Sequence, residues 1–250
     1  MYNILPNTLF IGRKIIYLPS CHSTNDIAAS LLKDKNVIEG TTVITDQQTA
    51  GRGQRGNTWE AEPGKNLTFS IVLKPSFLQA SQQFSLNMVI SLACLQFLSE
   101  YISEGIQIKW PNDLYYYDKK IGGILIESTI KNTMLDNIIA GIGLNINQEH
   151  FAEPRAISMT LINKQTYDLE RLLTNLLTKI EHNYFKLKTG HLYYIQNNYL
   201  KNLYGYHKNR LFRTNIVFEG QIIGIDEIGR LGIETGGVVR YFFFKEVEFI

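Results

Sequence analysis

The stretch Thr49–Pro75, TAGRGQRGNTWEAEPGKNLTFSIVLKP, decides between two fold classes. Three of its glycines have the G-x-G-x-x-G spacing of a dinucleotide-binding turn: Gly51, Gly53 and Gly56. Such a turn requires a helix directly after it and an acidic residue about 20 positions later. Here Pro63, Gly64 and a β-rich segment follow, and residues 71 and 74 are Ile and Lys. The stretch therefore argues against a nicotinamide-dinucleotide fold and predicts a ligand-binding loop that precedes a strand.

The segments on either side of this stretch predict a mixed α+β fold. Apolar residues at helical spacing indicate helices from near Asn25, from about Gln79 to Tyr101, and from Asp168 to about Leu187. The β-rich segments form a group: Thr41–Thr45, Asn66–Pro75, Ile106–Trp110, Leu114–Ser128 and Leu135–Asn147. Because these strands cluster and do not alternate regularly with helices, we expect a mainly antiparallel sheet flanked by helices.

The pattern changes near Gly205, where short alternating segments separated by glycine turns begin. Several short strands at close spacing are typical of a small β-barrel. We therefore expect two domains, residues 1–200 and residues 205–250.

Composition limits the function classes. The chain has 250 residues, 44% hydrophobic and 19% charged, and a net charge of +2. That charge is too small to indicate nucleic-acid binding, which normally shows as clustered Lys and Arg. Cys21 and Cys94 are far apart and form no zinc or disulfide pattern. With no signal peptide and no apolar run of about 18 residues, we expect a cytoplasmic protein with no DNA or membrane partner.

Two segments carry polar groups suited to a ligand. Arg52 and Arg55 give the glycine loop planar cations that bind carboxylate or phosphate, although a solvated surface turn would look the same. Ser23, Thr24 and Asn25 stand at a predicted helix start. They suit helix capping, and they equally suit hydrogen bonds to a polar ligand head.

Two further segments remain ambiguous when taken alone. Lys109 follows Ile106 and Ile108 and should point away from the core, either to hold an anion in a transition state or as a surface lysine. Gly141 and Gly143 in a predicted strand leave a smooth face for a flat ligand, or mark a bulge.

Together and in this order, the segments STN (23–25), QTAGRGQRGNTW (48–59), KWPNDLYYYDKKIGGILIE (109–127) and GIGLNIN (141–147) resemble the biotin protein ligases. The resemblance covers nearly the whole chain. It implies a catalytic domain related to class II aminoacyl-tRNA synthetases, followed by an SH3-like barrel. It also implies that ATP and Mg²⁺ activate biotin as biotinyl-5′-adenylate with release of pyrophosphate. The biotinyl group would then be transferred to a lysine of a biotin carboxyl carrier domain.

The resemblance assigns roles to matched positions. The biotin-binding residues would be Ser23, Thr24, Asn25, Gln48, Arg52, Gly53, Gln54, Lys109, Gly122, Gly123 and Gly141. The nucleotide-binding residues would be Arg55, Trp59, Asn112, Gly143 and Asn145. The residues that act on the reacting groups would be Lys109, Arg52 and Arg55. The resemblance identifies no metal ligands.

The sequence departs from the family pattern at two loop positions. Many members have arginine where this chain has Gln54 and Asn57, so the loop is less basic and its hold on the adenylate is in question. Some members also carry an N-terminal helix-turn-helix domain. Because 22 residues precede Ser23, we expect a ligase without repressor activity.

Other readings stay open. A lipoate or octanoate ligase or transferase would share the fold, but its substrate lacks the polar ring that the cluster of Ser23, Thr24, Asn25 and Gln48 suits. A non-catalytic binding module would use the C-terminal domain to recruit a partner. An exposed sheet edge could pair two copies as a homodimer or pair the chain with its carrier.

Overall fold

The computed structural model describes residues 4–33 and 37–250, apart from the side chain of Arg55. The helices within these residues are α1 Thr24–Leu32, α2 Phe84–Leu98, α3 Met159–Asn163, α4 Leu169–Lys188 and α5 Leu192–Lys201. The strands are β1 Ile15–Cys21, β2 Thr42–Gln48, β3 Leu67–Leu73, β4 Ile106–Lys109, β5 Asp113–Tyr116, β6 Lys119–Lys131, β7 Met134–Leu144, β8 Asn209–Arg213, β9 Val217–Ile225, β10 Leu231–Thr235, β11 Val238–Phe242 and β12 Glu248–Phe249.

The first seven strands form one sheet in the order β1-β2-β3-β7-β6-β5-β4. β1 and β2 pair in parallel, and the other neighbours pair antiparallel. The predicted α+β fold with a mainly antiparallel sheet is therefore confirmed. Strand β1 and helix α5 were not predicted.

Strand β3 is buried on both faces because helices cover both sides of the sheet. Phe69 and Ile71 belong to the main core with α2 and α4, whereas Val72 belongs to a second cluster with Ala28 of α1. Because side chains alternate between the two faces of a strand, Ser70 lies on the α1 side, where it contacts Thr24 and Asn25. One strand thus contributes to the core with one face and to a ligand site with the other.

Helices α2 and α4 pack on the core face of the sheet. Almost every residue of α2 is buried, because the sheet lies on one side of it and α4 on the other. Helix α4 has a single apolar stripe, and Asp168 caps its first turn by accepting hydrogen bonds from two backbone N–H groups. In the described part of the chain, no helix is both long enough and apolar enough to cross a membrane.

The last five strands form a second antiparallel sheet in the order β11-β10-β9-β8-β12. The expected β-rich C-terminal unit is therefore present. It is an open sheet over the described residues, since its outer strands β11 and β12 do not pair with each other. The unit joins the larger sheet through Trp110, whose indole Nε1 donates to the carbonyl oxygen of Gly229 at 2.9 Å.

Candidate active site

The floor of a cleft on the α1 face of the larger sheet is formed mainly by glycines. Thr68 of β3, Gly143 of β7 and Gly123 of β6 lie side by side across three neighbouring strands. Gly141 lies two residues before Gly143 and faces the same way. A side chain at Gly141 or Gly143 would collide with Asn25 or with the Trp59 ring. The glycines therefore let these two side chains lie flat against the sheet.

The start of α1 forms one end of the cleft. Ser23 occupies the N-cap position, yet its side chain makes no capping hydrogen bond. Thr24 accepts from the Ser70 hydroxyl at 2.7 Å, and its own N–H and hydroxyl contact Gln48 Oε1 at 2.8 and 3.2 Å. Since the N-cap residue is not used for capping, its hydroxyl is available for a ligand. This cluster is nearly closed to solvent, because Ser23 is 2% and Thr24 3% exposed.

The glycine loop folds over the cleft as a small hairpin. An antiparallel bridge joins Arg52 to Thr58, and the Trp59 N–H donates to the Gly51 carbonyl at 3.0 Å. The Arg52 guanidinium contacts Glu127 at 3.0 Å and Asp26 at 2.7 Å. Trp59 places its ring over the glycine floor. Its buried indole Nε1 has no hydrogen-bond partner among the described residues.

Lys120 supplies the ammonium group of the cleft. It lines the cleft, forms an ion pair with Asp113 at 2.8 Å, and lies 5.8 Å from the centre of the Trp59 ring. A bulge explains its direction. Leu114 pairs with Gly122 but the next residue, Tyr115, pairs with Lys120, so β6 has one extra residue. An extra residue reverses the alternation of side chains, which turns Lys120 toward the cleft.

Lys109 points away from the core as predicted but does not line the cleft. Lys109 lies on β4, the outermost strand of the sheet, and pairs with Asp113 of β5. It is therefore two strands away from Gly123 of the glycine floor. Its Nζ lies 4.7 Å from the Tyr115 ring, 5.9 Å from the Tyr204 ring and 5.1 Å from the Phe249 ring. Burial lowers the pKa of the Lys109 ammonium below its ordinary value. Lys120 is therefore the lysine among the residues that line the cleft, and the role of Lys109 toward a ligand stays a prediction.

Most of the other predicted site residues meet at the cleft. Its lining includes Ser23, Thr24, Asn25, Gln48, Arg52, Gly53, Gln54, Trp59, Asn112, Gly123, Gly141 and Gly143. Gly122 does not line it, because it faces the core, where a side chain would collide with Leu144. Asn145 follows β7 outside the lining, and its buried Oδ1 has no partner among the described residues. The backbone of Arg55 lies in the 3-10 turn Gln54–Gly56, and its side chain lies outside the described part of the structure.

Four residues of this region were missed by sequence reasoning. No residue pattern marked Lys120 as a site residue, and only its pairing with Tyr115 reveals its direction. Asp113, Glu127 and Phe244 carry no local motif of their own. Phe244 reaches the cleft from the C-terminal unit. A signal for Glu127 did exist, since it lies four residues after Gly123 and alternation places both on one face.

Comparison with known proteins identifies the class. Residues 17–145 match the model of the "Biotin/lipoate A/B protein ligase family". The bifunctional ligase/repressor BirA of Bacillus subtilis is 30% identical over 96% of this chain and 75% of its own length. The biotin protein ligase of Aquifex aeolicus, solved with biotin and ATP, is 27% identical with a TM-score of 0.80, covering 95% of this chain and 99% of that one. Fold, cleft and relatives define an enzyme of the ligase class. The chain belongs to the biotin/lipoate A/B protein ligase family.

Proposed function

We propose that this chain is an ATP-dependent biotin–protein ligase. It joins biotin to AMP in the cleft and then transfers the biotinyl group to a lysine of a biotin carboxyl carrier domain. The observation that carries the proposal is the polar cluster at one end of the glycine floor, which consists of the buried Ser23 and Thr24 and the half-buried Gln48. The solved Aquifex relative, which binds biotin and ATP, supports the choice of substrates.

The polar cluster favours biotin over a plain acyl chain. The ureido ring of biotin offers one carbonyl and two N–H groups, which the free Ser23 hydroxyl and the Gln48 and Thr24 side chains complement. A lipoyl or octanoyl chain would leave the buried Ser23 hydroxyl without a partner, at a cost of about 1–3 kcal/mol. The site therefore selects a polar head followed by an aliphatic chain.

The first half-reaction forms a bond between a carboxylate oxygen of biotin and the α-phosphorus of ATP, and the bond to pyrophosphate breaks. It brings two anions together, so cationic groups at the meeting point lower its barrier. Lys120 is placed for this role, beside the Trp59 ring that would pack on adenine. Arg55 on the loop would face the phosphates. Arg52 holds the loop closed, which shields the mixed anhydride from water.

In the second half-reaction the neutral amine of the carrier lysine attacks the biotinyl carbonyl, and AMP leaves. A second pocket lies between the loop and β6 beside Glu127, and it shares Arg52, Gly53 and Leu125 with the lining of the cleft. We place the carrier lysine at this second pocket. No side chain of this protein forms a covalent intermediate in the scheme.

The residues present fit a magnesium ion that arrives with ATP. Among the described residues no cluster of three or more His, Cys, Asp or Glu could hold a metal on its own. Magnesium at nucleotide sites is usually held by one or two carboxylates together with phosphate oxygens. Asp113 lines the cleft next to Lys120 and would supply that carboxylate. When bound, the ion would offset phosphate charge.

Calorimetry with biotin, lipoate and octanoate tests the substrate. We expect biotin to bind at least roughly tenfold more tightly than the other two acids, because it alone satisfies the polar cluster. Tighter binding of lipoate would show that the fold is assigned correctly but the pocket is not. Absence of binding by all three acids would favour a non-catalytic module.

A further inference from the structure

The Glu127 carboxylate contacts two separate parts of the site at once. Its Oε2 accepts a hydrogen bond from Asn25 Nδ2 at 2.6 Å, beside the polar cluster. Both of its oxygens accept from the Arg52 guanidinium on the glycine loop, at 3.1 and 3.0 Å. Glu127 lies on β6 and does not line the main cleft. It therefore connects the biotin end of the site to the loop that covers it.

We propose that Glu127 is a positioning residue that couples closure of the glycine loop to the biotin-binding geometry of Asn25. The inference rests on the proposed function, since it concerns how the site retains biotin and its adenylate. Glu127 acts through Asn25 and Arg52 and touches neither substrate.

The amide of Asn25 shows how the coupling operates. Its Oδ1 accepts from the Ser70 hydroxyl at 2.6 Å, and its Nδ2 donates to Glu127. Because Gly141 has no side chain, this amide lies directly against the sheet. Asn25 is 3% exposed, so loss of its strongest acceptor would leave a buried donor poorly satisfied. Glu127 thus fixes which way the amide faces.

The Arg52 guanidinium is shared between two carboxylates. It contacts Asp26 of α1 at 2.7 Å as well as Glu127. If the loop moved away, Asp26 and Glu127 would face each other without their shared cation. The groups are partly exposed, with 37% for Glu127 and 42% for Arg52, so one such pair contributes little alone. The bidentate geometry and the second carboxylate make this network stronger than an isolated surface pair.

Glu127→Gln removes the charge and keeps the shape, and the chain offers a matched control. Glu100 also bonds an amide, Asn175, and a cation, Lys179, and it is 41% exposed, but it lies at the end of α2. We expect Glu127→Gln to weaken biotin binding and to speed release of preformed adenylate, each about fivefold, as for a weakened charge-assisted hydrogen bond. Glu100→Gln should change neither. The melting temperatures of the two variants should lie within a few degrees of each other.

A double variant separates coupling from two independent effects. We expect Glu127→Gln with Arg52→Gln to release adenylate no faster than Arg52→Gln alone, because the shared contact is already lost. Fully additive effects on release, or unchanged biotin affinity and adenylate release in Glu127→Gln, would overturn the inference. If the unaltered protein binds no biotin in the same calorimetry, the proposed function fails instead, which keeps the two failures distinct.

Discussion

At the scale of single residues, the two lysines of β4 and β6 give opposite predictions. Lys120→Met should slow biotin adenylation about a hundredfold or more, because it removes a cation from the point where the two anions meet. Lys109→Met should leave biotin affinity unchanged, since its ammonium lies among aromatic rings outside the cleft. Single-turnover adenylate formation and biotin calorimetry measure the two effects. Equal loss in both variants would mean that Lys109 reaches the substrates after all.

The floor glycines can be tested separately at each end of the cleft. Gly141→Ala should displace Asn25 and weaken biotin binding about tenfold, as loss of a well-placed hydrogen bond to a polar ligand does. Gly143→Ala should displace Trp59 and raise the Michaelis constant for ATP more than that for biotin. Gly224→Ala is the control, because a side chain there meets no atom within 4 Å. Identical effects of Gly141→Ala and Gly143→Ala would contradict the division of the cleft into a biotin end and an ATP end.

Residue patterns predicted the parts of the site that are local in sequence. The polar triplet at 23–25, the arginine and glycine of the loop and the glycines of β7 identified part of the cleft lining without coordinates. The family resemblance added Gln48, Gln54, Trp59, Asn112 and Gly123. Lys109 was visible to sequence reasoning because it stands at a strand end, whereas Lys120 faces the cleft through a bulge that no sequence pattern indicates. Ser23 could equally have capped α1, and only its geometry shows that it does not.

At the scale of elements, the contact between α2 and α4 predicts a pH dependence. Hydrogen bonds from Lys179 and then Asn175 lower the pKa of the Glu100 carboxyl below its ordinary value. A lowered folded-state pKa adds stability above the unfolded-state pKa, and this stability is lost as pH falls through the folded value. Glu100→Gln should therefore reduce the free energy of unfolding at pH 7 but not in strong acid. Because the group is partly exposed, we expect a loss below about 1 kcal/mol.

Urea unfolding of the unaltered protein and of Glu100→Gln at a series of pH values checks this. The difference in the free energy of unfolding between the two proteins should decrease steadily as the Glu100 carboxyl becomes protonated. A difference in free energy that stays constant into strong acid would show that Glu100 stabilises the helices by packing alone.

Elements were predicted from sequence where periodicity was strong. The long helices α2 and α4 have regular apolar spacing, and both were found close to their expected bounds. Helix α2 begins at Phe84, later than Gln79, because a 3-10 turn over Ala80–Gln82 precedes it. Strand β1 is partly exposed and ends in Pro19, Ser20 and Cys21, so its alternation is weak. Its pairing with β2 is a long-range contact that no local pattern indicates.

At the scale of the whole molecule, the C-terminal sheet shares one core with the larger sheet, and a buried indole adds a specific hydrogen bond between them. Trp110 is 5% exposed, donates to Gly229 and packs edge-on to Phe244, with ring centroids 6.2 Å apart. Trp110→Phe should lower the free energy of unfolding by about 1–3 kcal/mol, since it leaves a buried carbonyl without its donor. The two sheets should still unfold together. A separate early transition of the C-terminal unit in thermal circular dichroism would contradict this coupling.

The same contact places Phe244 beside the cleft, so the C-terminal unit contributes to the site as well as to stability. The division into residues 1–200 and 205–250 stays a prediction about folding units. Sequence periodicity could indicate a change of pattern near Gly205, but contacts across that boundary depend on side chains more than a hundred residues apart, as Trp110 and Gly229 are.

We propose above all that this cleft joins biotin to AMP. The most direct test is biotin-dependent exchange of labelled pyrophosphate into ATP by the purified protein with Mg²⁺, with lipoate and octanoate in parallel reactions. We predict exchange with biotin, little with the other two acids, and loss of the biotin signal in Lys120→Met. Exchange that requires lipoate, or no exchange with any acid, would show that this cleft does not join biotin to AMP.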